Sequence, residues 1–458
     1  MNEKESEFVK ELKHKSRRRS IKEGIFASGK TALGEYYLAP FAIAINTSNF
    51  IVALLGSISG LLGPLSQIFS SRLLEKYSRK RIIMKFVFLE ALMWLPIILI
   101  AFLFYAGILT ESLPFIFLVV YAVYVIFMNI SSPPWFSWMG DIVDKNYRGR
   151  WFSKRHIITS FVSGTLAIVA SFFLEYTKGK GWLMIGYIIL FTLALLFRLM
   201  SWKTFQRQYE PKIKLKKGYY FTFWDFIINS PKTNFGKFTI YRTLFSFATA
   251  ISSPLVAIYL LRNLGFGYTT YIAISLAEGM FALAVIQLWG NFADKYGNYR
   301  VLCISSILIP LIPILWIFSP NPIYLFFVPA IIGGVAWAGF NLAAGNFVYD
   351  NISVEKRGLV ISYYNMLIGI GTFLGAGIGA FLIKYLTTSI EPIIIIFILS
   401  AVARAIFAIW WVPKIKEIRK TEKFGGKKAL RNLIFKEAKP ILTEEAHEIL
   451  SIHRYIME

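Results

Sequence analysis

SRLLEKYSRKR at residues 71–81 and GNFADKYGNYR at residues 290–300 are two versions of one short polar loop, each lying between long apolar runs. Glu75 aligns with Asp294, Lys76 with Lys295, Tyr77 with Tyr296 and Arg81 with Arg300, an offset of 219 residues in a chain of 458. Further matches follow in the same order. Asp141 through Arg148 and Gly149 corresponds to Asp350 through Arg357 and Gly358 at an offset of 209. Pro40 corresponds to Pro254 at 214, and Arg198 to Arg404 at 206. Such drift is what insertions and deletions in loops leave behind. The chain reads as one unit duplicated.

The solvent of that unit follows from composition. Hydrophobic residues make up 56% of the chain and charged residues 17%, against about 25% charged in water-soluble domains. A bilayer core about 30 Å thick needs about 20 mostly apolar residues per helix. That ruler finds twelve spans, near 22–46, 49–71, 82–107, 112–140, 155–177, 182–202, 236–262, 267–291, 301–319, 322–349, 358–384 and 391–412. The expected fold is an all-α membrane protein with twelve transmembrane helices in two pseudo-symmetric six-helix bundles. The bundles are 22–202 and 236–412, joined by a linker at 203–235. A basic segment, 1–21, precedes them and a tail, 413–458, follows. Residues 219–231 of the linker could form a short amphipathic helix on the membrane surface. Residues 443–455, opened by Thr443 with Glu444 and Glu445 in the first turn, read as a capped helix.

A net charge of +24 raises nucleic acid as a partner, and its distribution removes the need for one. Alternate loops and the two ends hold 42 of the 50 Lys and Arg. Only Lys178, Lys180, Arg262 and Lys384 lie in the other loops, and Lys30, Arg198, Arg242 and Arg404 in the spans. The positive-inside rule turns this alternation into a topology in the cell membrane, with both termini and the linker cytoplasmic. The cluster Lys13 to Arg19 is expected to rest on anionic headgroups. One cysteine, Cys303, and four scattered histidines offer neither a disulfide nor a metal site. No cofactor is expected.

Twelve spans, two halves and the loop at 290–300 together resemble the major facilitator superfamily. Gly290, Asp294, Lys295, Gly297 and Arg300 fit that family's loop between spans 8 and 9. The first copy departs from it, with Ser71 and Ser78 for the glycines and Glu75 for the aspartate. The resemblance covers about 22–412. It implies a carrier, not an enzyme, that works by alternating access as a monomer. It also implies that the loop acid of one half meets a helix start in the other while the cytoplasmic side is closed. An acid is stabilised there because a helix N-terminus carries about +0.5 charge. Glu75 would then face Arg357 and Asp294 would face Arg148, with Asp141, Asp350, Arg81, Lys295 and Arg300 completing the gate.

Ionisable groups within spans cost about 2.5–3.5 kcal/mol each and usually face a cavity or a partner. Arg242, Ser246, Thr249 and Ser253 lie on one face of span 7, and Ser28, Thr31, Glu35 and Asn46 on one face of span 1. Span 4 adds Asn129, Ser132, Trp135 and Trp138, with Pro133 and Pro134 interrupting its helix. Span 10 adds Trp337 and Asn341. In the resembling family spans 1, 4, 7 and 10 line the central cavity. Hydroxyls, amides and aromatic walls suit a small organic solute; helix packing through polar contacts is the competing reading for each residue. Glu35 is the first candidate for a proton-coupling carboxylate and Glu278 the second, with Arg242 as counter-charge or anion holder. A fixed structural pair of Glu35 with Lys30 or Arg242 is the alternative. Glu90, on a peripheral span, has no assigned role.

Two motifs carry no chemistry. Gly24, Gly29, Lys30 and Thr31 match a phosphate-binding loop but lie in a membrane span instead of between a strand and a soluble helix. Gly371, Gly375 and Gly379 repeat every fourth residue in span 11, the mark of close helix packing. A non-transporting receptor or lipid-interacting protein that kept the fold is the second functional reading.

Overall fold

Proline and buried charge decide where the long helices break. In a computed structural model the described residues are 7–74, 76–144, 148–211, 223–352, 357–419 and 421–422. In chain order they form α1 (Glu7–Leu33), α2 (Leu38–Ala44), α3 (Asn49–Leu73), α4 (Arg79–Leu92), α5 (Trp94–Tyr105), α6 (Leu113–Ile130), α7 (Ser132–Ile142), α8 (Arg148–Gly179) and α9 (Leu183–Gln206). Then come α10 (Phe223–Asn229), α11 (Asn234–Ser252), α12 (Val256–Ile258), α13 (Tyr268–Tyr296), α14 (Asn298–Leu308), α15 (Leu311–Phe318), α16 (Pro322–Asn351), α17 (Arg357–Tyr385) and α18 (Pro392–Trp411). No strand occurs among the described residues.

Eleven helical stretches among the described residues are long and apolar enough to cross a membrane. The first expected span, which carries Lys30 and Glu35, is not one of them, and it is broken. α1 ends at Leu33, a 3-10 turn covers Glu35–Tyr37, and α2 resumes at Leu38. The repeat copies this break: α11 gives way to a 3-10 turn at Ser253–Leu255 before α12. Helix 4 breaks where Pro133 and Pro134 predict, between Ile130 and Ser132. A proline leaves the carbonyl four residues earlier without its donor, and the Ser70 hydroxyl donates to the freed Ile130 carbonyl at 2.6 Å. Helices overrun the apolar windows at the loop ends because charged residues propagate a helix well. α1 overruns most, starting at Glu7, so much of the basic leader is helix.

That leader packs on its own bundle. Arg17 donates to the Ile142 carbonyl at 3.2 Å and pairs with Asp144, Arg19 donates to the Arg207 carbonyl, and Ser16 accepts from the Tyr209 amide. Arg17 and Arg19 thus bond carbonyls of their own bundle, while Lys15 and Arg18 are exposed. The expected helix at 443–455 lies outside the described residues. In the linker, α10 packs Phe223 and Phe226 on Tyr363 and leaves Trp224 and Ile228 exposed.

The described chain divides into two compact units, one of residues 7–47 and 65–211, the other of 48–64 and 223–422. In the first, Phe41 is surrounded by Phe117, Tyr187 and Phe191. In the second, an aromatic core of Phe235, Phe238, Tyr241, Phe245, Phe340 and Phe347 joins α11 to α16. There α17 lies directly on α11. A Cβ at Gly371, Gly375 or Gly379 would collide with the backbone carbonyls of Thr243, Phe247 and Ile251 respectively. The glycine stripe is therefore a backbone contact surface.

Substituting Gly375 by Ala should lower stability by about 1–3 kcal/mol, the usual cost of overpacking. Gly164→Ala, where nothing lies within 4 Å of the added carbon, should not lower it. Thermal unfolding in detergent compares the two; equal midpoints would contradict this account of the stripe.

Candidate functional site

The first unit carries a line of six alternating charges through its interior. Glu35 accepts from Lys30 at 2.7 Å, from the Tyr124 hydroxyl at 2.6 Å and from the Thr31 hydroxyl at 2.6 Å. Lys30 also reaches Glu90 at 3.1 Å. Glu90 pairs through its other oxygen with Arg198. Arg198 stands 3.9 Å from Glu23, which accepts from Arg155 and from the Ser201 hydroxyl, both at 2.9 Å. The order is Glu35, Lys30, Glu90, Arg198, Glu23, Arg155, drawn from α1, the turn after it, α4, α8 and α9. Three carboxylates face three cations, so the line is neutral.

Local structure explains the geometry. Glu23 and Lys30 lie seven residues apart on α1, two turns along one face. The break at Gly34 turns Glu35 back toward Lys30 and Tyr124. Arg198 sits deep on α9, where Gly29 lets Phe197 approach α1 closely. Gly24 makes room for Arg155 in the same way, which accounts for both glycines of the phosphate-loop decoy by packing. Exposure grades along the line: the Glu90 side chain is 0% exposed, Glu23 3% and Glu35 22%. A buried charge is tolerable only when paired and hydrogen-bonded, so each member holds its neighbours in place.

Next to the Arg155 end lies a cavity of about 270 Å³ within this unit. Glu23, Arg155, Arg198, Ser131, Ser132 and Trp135 form its polar wall; Ile83, Val87, Met128, Phe136 and Phe205 form its apolar wall. The Arg155 guanidinium stacks 4.5 Å from the Trp135 ring centre. Ser131 Oγ, Trp135 Nε1 and Arg198 Nε have no partner among the described residues.

The second unit keeps the repeated arginine and drops the acids. Arg404 is buried and bonds the Ile309 carbonyl at 3.4 Å, the Thr249 carbonyl at 3.3 Å and the Ser252 hydroxyl at 2.9 Å. At the loop offset of 219, Ile309 occupies the place of Glu90; at 214, Thr249 occupies that of Glu35. Backbone carbonyls thus stand in for carboxylates. Glu278 on α13 lies against Gly333 of α16. Arg242 stacks 4.7 Å from the Phe340 ring centre and reaches Asn341 at 3.5 Å. No carboxylate pairs with it among the described residues. Trp337 packs on Phe340 and Phe245 beside it.

Other expected site residues spend their polar atoms locally. Ser28 donates to the Gly24 carbonyl, Thr249 to Phe245, and Asn129 to Val125 while its oxygen accepts from Gln67. Ser253 opens a 3-10 turn and is exposed.

The gate loops are knotted within their own units in matching ways. Asp141 pairs with Arg79 at 2.6 Å, and Asp350 accepts from Asn298 at 2.8 Å, the first residues of α4 and α14. Glu210, after α9, accepts from the Lys80 amide at 3.0 Å; Glu417, after α18, accepts from the Tyr299 amide at 2.9 Å. Each carboxylate satisfies an otherwise orphaned N–H of a helix start. Asp294 pairs with Arg419 at 3.5 Å, and Lys295 with Glu422 at 3.9 Å. Arg81 is exposed and Arg300 half-buried. Glu75 and the side chains of Arg148 and Arg357 lie outside the described residues.

Glu23, Arg155 and Tyr124 escaped the sequence reading, and Glu90 had no role in it. Composition flags a charge in a span but not its partner. The signal available was that Glu90 and Arg198 are opposite charges in neighbouring spans.

Residues 238–446 match the family model of the Major Facilitator Superfamily. No curated protein matches the chain. Among solved structures, a mutant of the nucleoside transporter NupG superposes with a TM-score of 0.64 at 16% identity, covering 87% of this chain and 100% of that one. NupG itself gives 0.61 at 16%, covering 88% and 100%. A bacterial homologue of the iron transporter ferroportin, inward-facing, gives 0.62 at 14%, covering 87% and 98%. At such identities the likeness is one of fold alone. The family match lies in the second unit and spans a little under half of the chain, and over most of its length the chain shares the fold of these transporters.

Removing one member of the charge line strands its partner. Arg198→Met should cost about 3–5 kcal/mol, and the double change Arg198→Met with Glu90→Leu should recover much of that loss. Unfolding of both variants in detergent is the check; a double variant no better than the single one would break the pairing argument.

Proposed function

We propose that this protein is a secondary carrier that moves a small organic solute across the cell membrane by alternating access, coupled to protons at Glu35, and that it acts as a monomer with both termini in the cytoplasm. The observation that carries the reading is the neutral charge line ending at Glu35, its least buried carboxylate. A folded core gains little from six buried charges, since well-packed apolar residues usually serve stability as well or better. In membrane proteins such groups mark ion and substrate pathways. A proton arriving at Glu35 would neutralise the end of the line and release Lys30.

Arg242 supports a solute role for the second unit. Its unpaired Nε, its stacking on Phe340 and its contact with Asn341 suit an acceptor group on an organic molecule. Glu278 is the secondary candidate for proton exchange. The solved structures named above are a nucleoside transporter and a bacterial homologue of the iron transporter ferroportin. Among the described residues no three His, Cys, Asp or Glu side chains gather as metal ligands, which favours an organic solute over a metal ion. In the gate, Asp294 acts by exchanging Arg419 for its partner in the inward-closed state.

Glu35→Gln in proteoliposomes should abolish proton movement evoked by a solute while sparing solute exchange. A pH-sensitive dye trapped inside, read against a solute panel, measures it; undiminished proton movement would remove Glu35 from coupling. Asp294→Asn should shift the population toward inward-open states, read as faster alkylation of cysteines placed in α8. Unchanged alkylation would count against the latch. A receptor that only kept the fold would evoke no proton movement with any solute.

A further inference from the structure

We infer that the cavity beside Arg155 binds an amphipathic organic monocarboxylate, and that the charge line couples this binding to protonation of Glu35 by shifting each cation to its next acid. This rests on the proton-coupled carrier reading and adds the solute class and the route of coupling.

The class follows from the wall. Among the described residues Arg155 Nη1 has no partner, and behind it Ser131 Oγ, Trp135 Nε1 and Arg198 Nε are buried without one. Arg155 spends Nε on the Ser20 carbonyl and Nη2 on Glu23. A planar guanidinium fork favours a carboxylate held by two hydrogen bonds. The opposite wall, with Val87, Met128 and Phe136, accepts an apolar body. At about 30 Å³ per water, the volume holds about nine waters, or an organic acid of about a dozen heavy atoms.

The coupling follows from neutrality. Three acids balance three bases, so an added anion leaves one uncompensated negative charge in a poorly solvated interior, which is costly. One proton on Glu35 cancels it. Each internal cation already bridges two acids, Lys30 between Glu35 and Glu90, Arg198 between Glu90 and Glu23. With Glu35 protonated, Lys30 moves fully to Glu90, Arg198 to Glu23, and Arg155 is freed for the ligand carboxylate. No bond other than the O–H of Glu35 is made, and total charge stays at zero. The groups facing Glu35 are Lys30 and Thr31 from α1 and Tyr124 from α6, with Glu90 of α4, Arg198 of α9 and Arg155 of α8 one or more steps along the line.

The test is equilibrium binding of radiolabelled benzoate to the full-length protein in detergent, with benzamide as neutral competitor. Benzoate should bind about tenfold more tightly for each unit that pH falls, the limit for one linked proton, and benzamide should compete poorly. Arg155→Gln should lose at least tenfold in affinity, and Arg155→Lys should fall between. Glu35→Gln should bind with no pH slope, and Glu23→Gln, which frees Arg155 permanently, should bind more tightly than wild type. No benzoate binding, equal competition by benzamide, or full affinity in Arg155→Gln would each overturn the proposal. If benzoate fails while another solute of the panel still drives protons through Glu35, the carrier reading survives and only the monocarboxylate site falls.

Discussion

Six charges that alternate in sign through the interior of the first unit constrain nearly everything around them. Each is buried enough that losing its partner would be expensive, and each cation but the last touches two acids. Moving each internal cation to its other acid, Lys30 to Glu90 and Arg198 to Glu23, leaves Glu35 and Arg155 alone at the two ends, so the proposed shift needs a proton at one end and an anion at the other. On α1, Gly24 and Gly29 leave room for the side chains of Arg155 and Phe197.

The second unit shows what the same framework does without acids at the two equivalent positions. Arg404 stands where Arg198 does, and the positions of Glu90 and Glu35 are Ile309 and Thr249. The guanidinium turns to the carbonyls of those two residues. Arg404 is held by two backbone carbonyls and the Ser252 hydroxyl. In the proposed division the first unit carries the shifting charge, and the second offers Arg242 on an aromatic face with no acid paired to it among the described residues.

Much of this was legible in the residues. Apolar run lengths located the spans, Pro133 and Pro134 located the break in the fourth, and the four-residue glycine spacing foretold a close helix contact of α17, though not that its partner is α11. The duplication was readable from loops because loop charges are exposed and their order survives drift. Pairings were not readable. Glu90 looked peripheral because helix position says nothing of which way a side chain points, and Glu23 lay at the very start of the first span, next to the basic leader, where a charge draws no notice. Glu210 and Glu417 cap equivalent helices from segments that hydropathy treats as linker and tail. The carbonyls that accept from Arg17 and Arg19 were likewise not readable, since sequence shows a cation but not its acceptor.

The central claim is that the line stays neutral whatever it binds. Its most direct test counts protons: benzoate is added to purified protein in weakly buffered solution, and an indicator dye reports the change in pH. Near neutral pH the wild type should take up close to one proton for each anion bound, and the Glu35→Gln variant close to none. A wild type that binds the anion with no proton uptake, or a variant that takes up as many protons as wild type, would contradict the account.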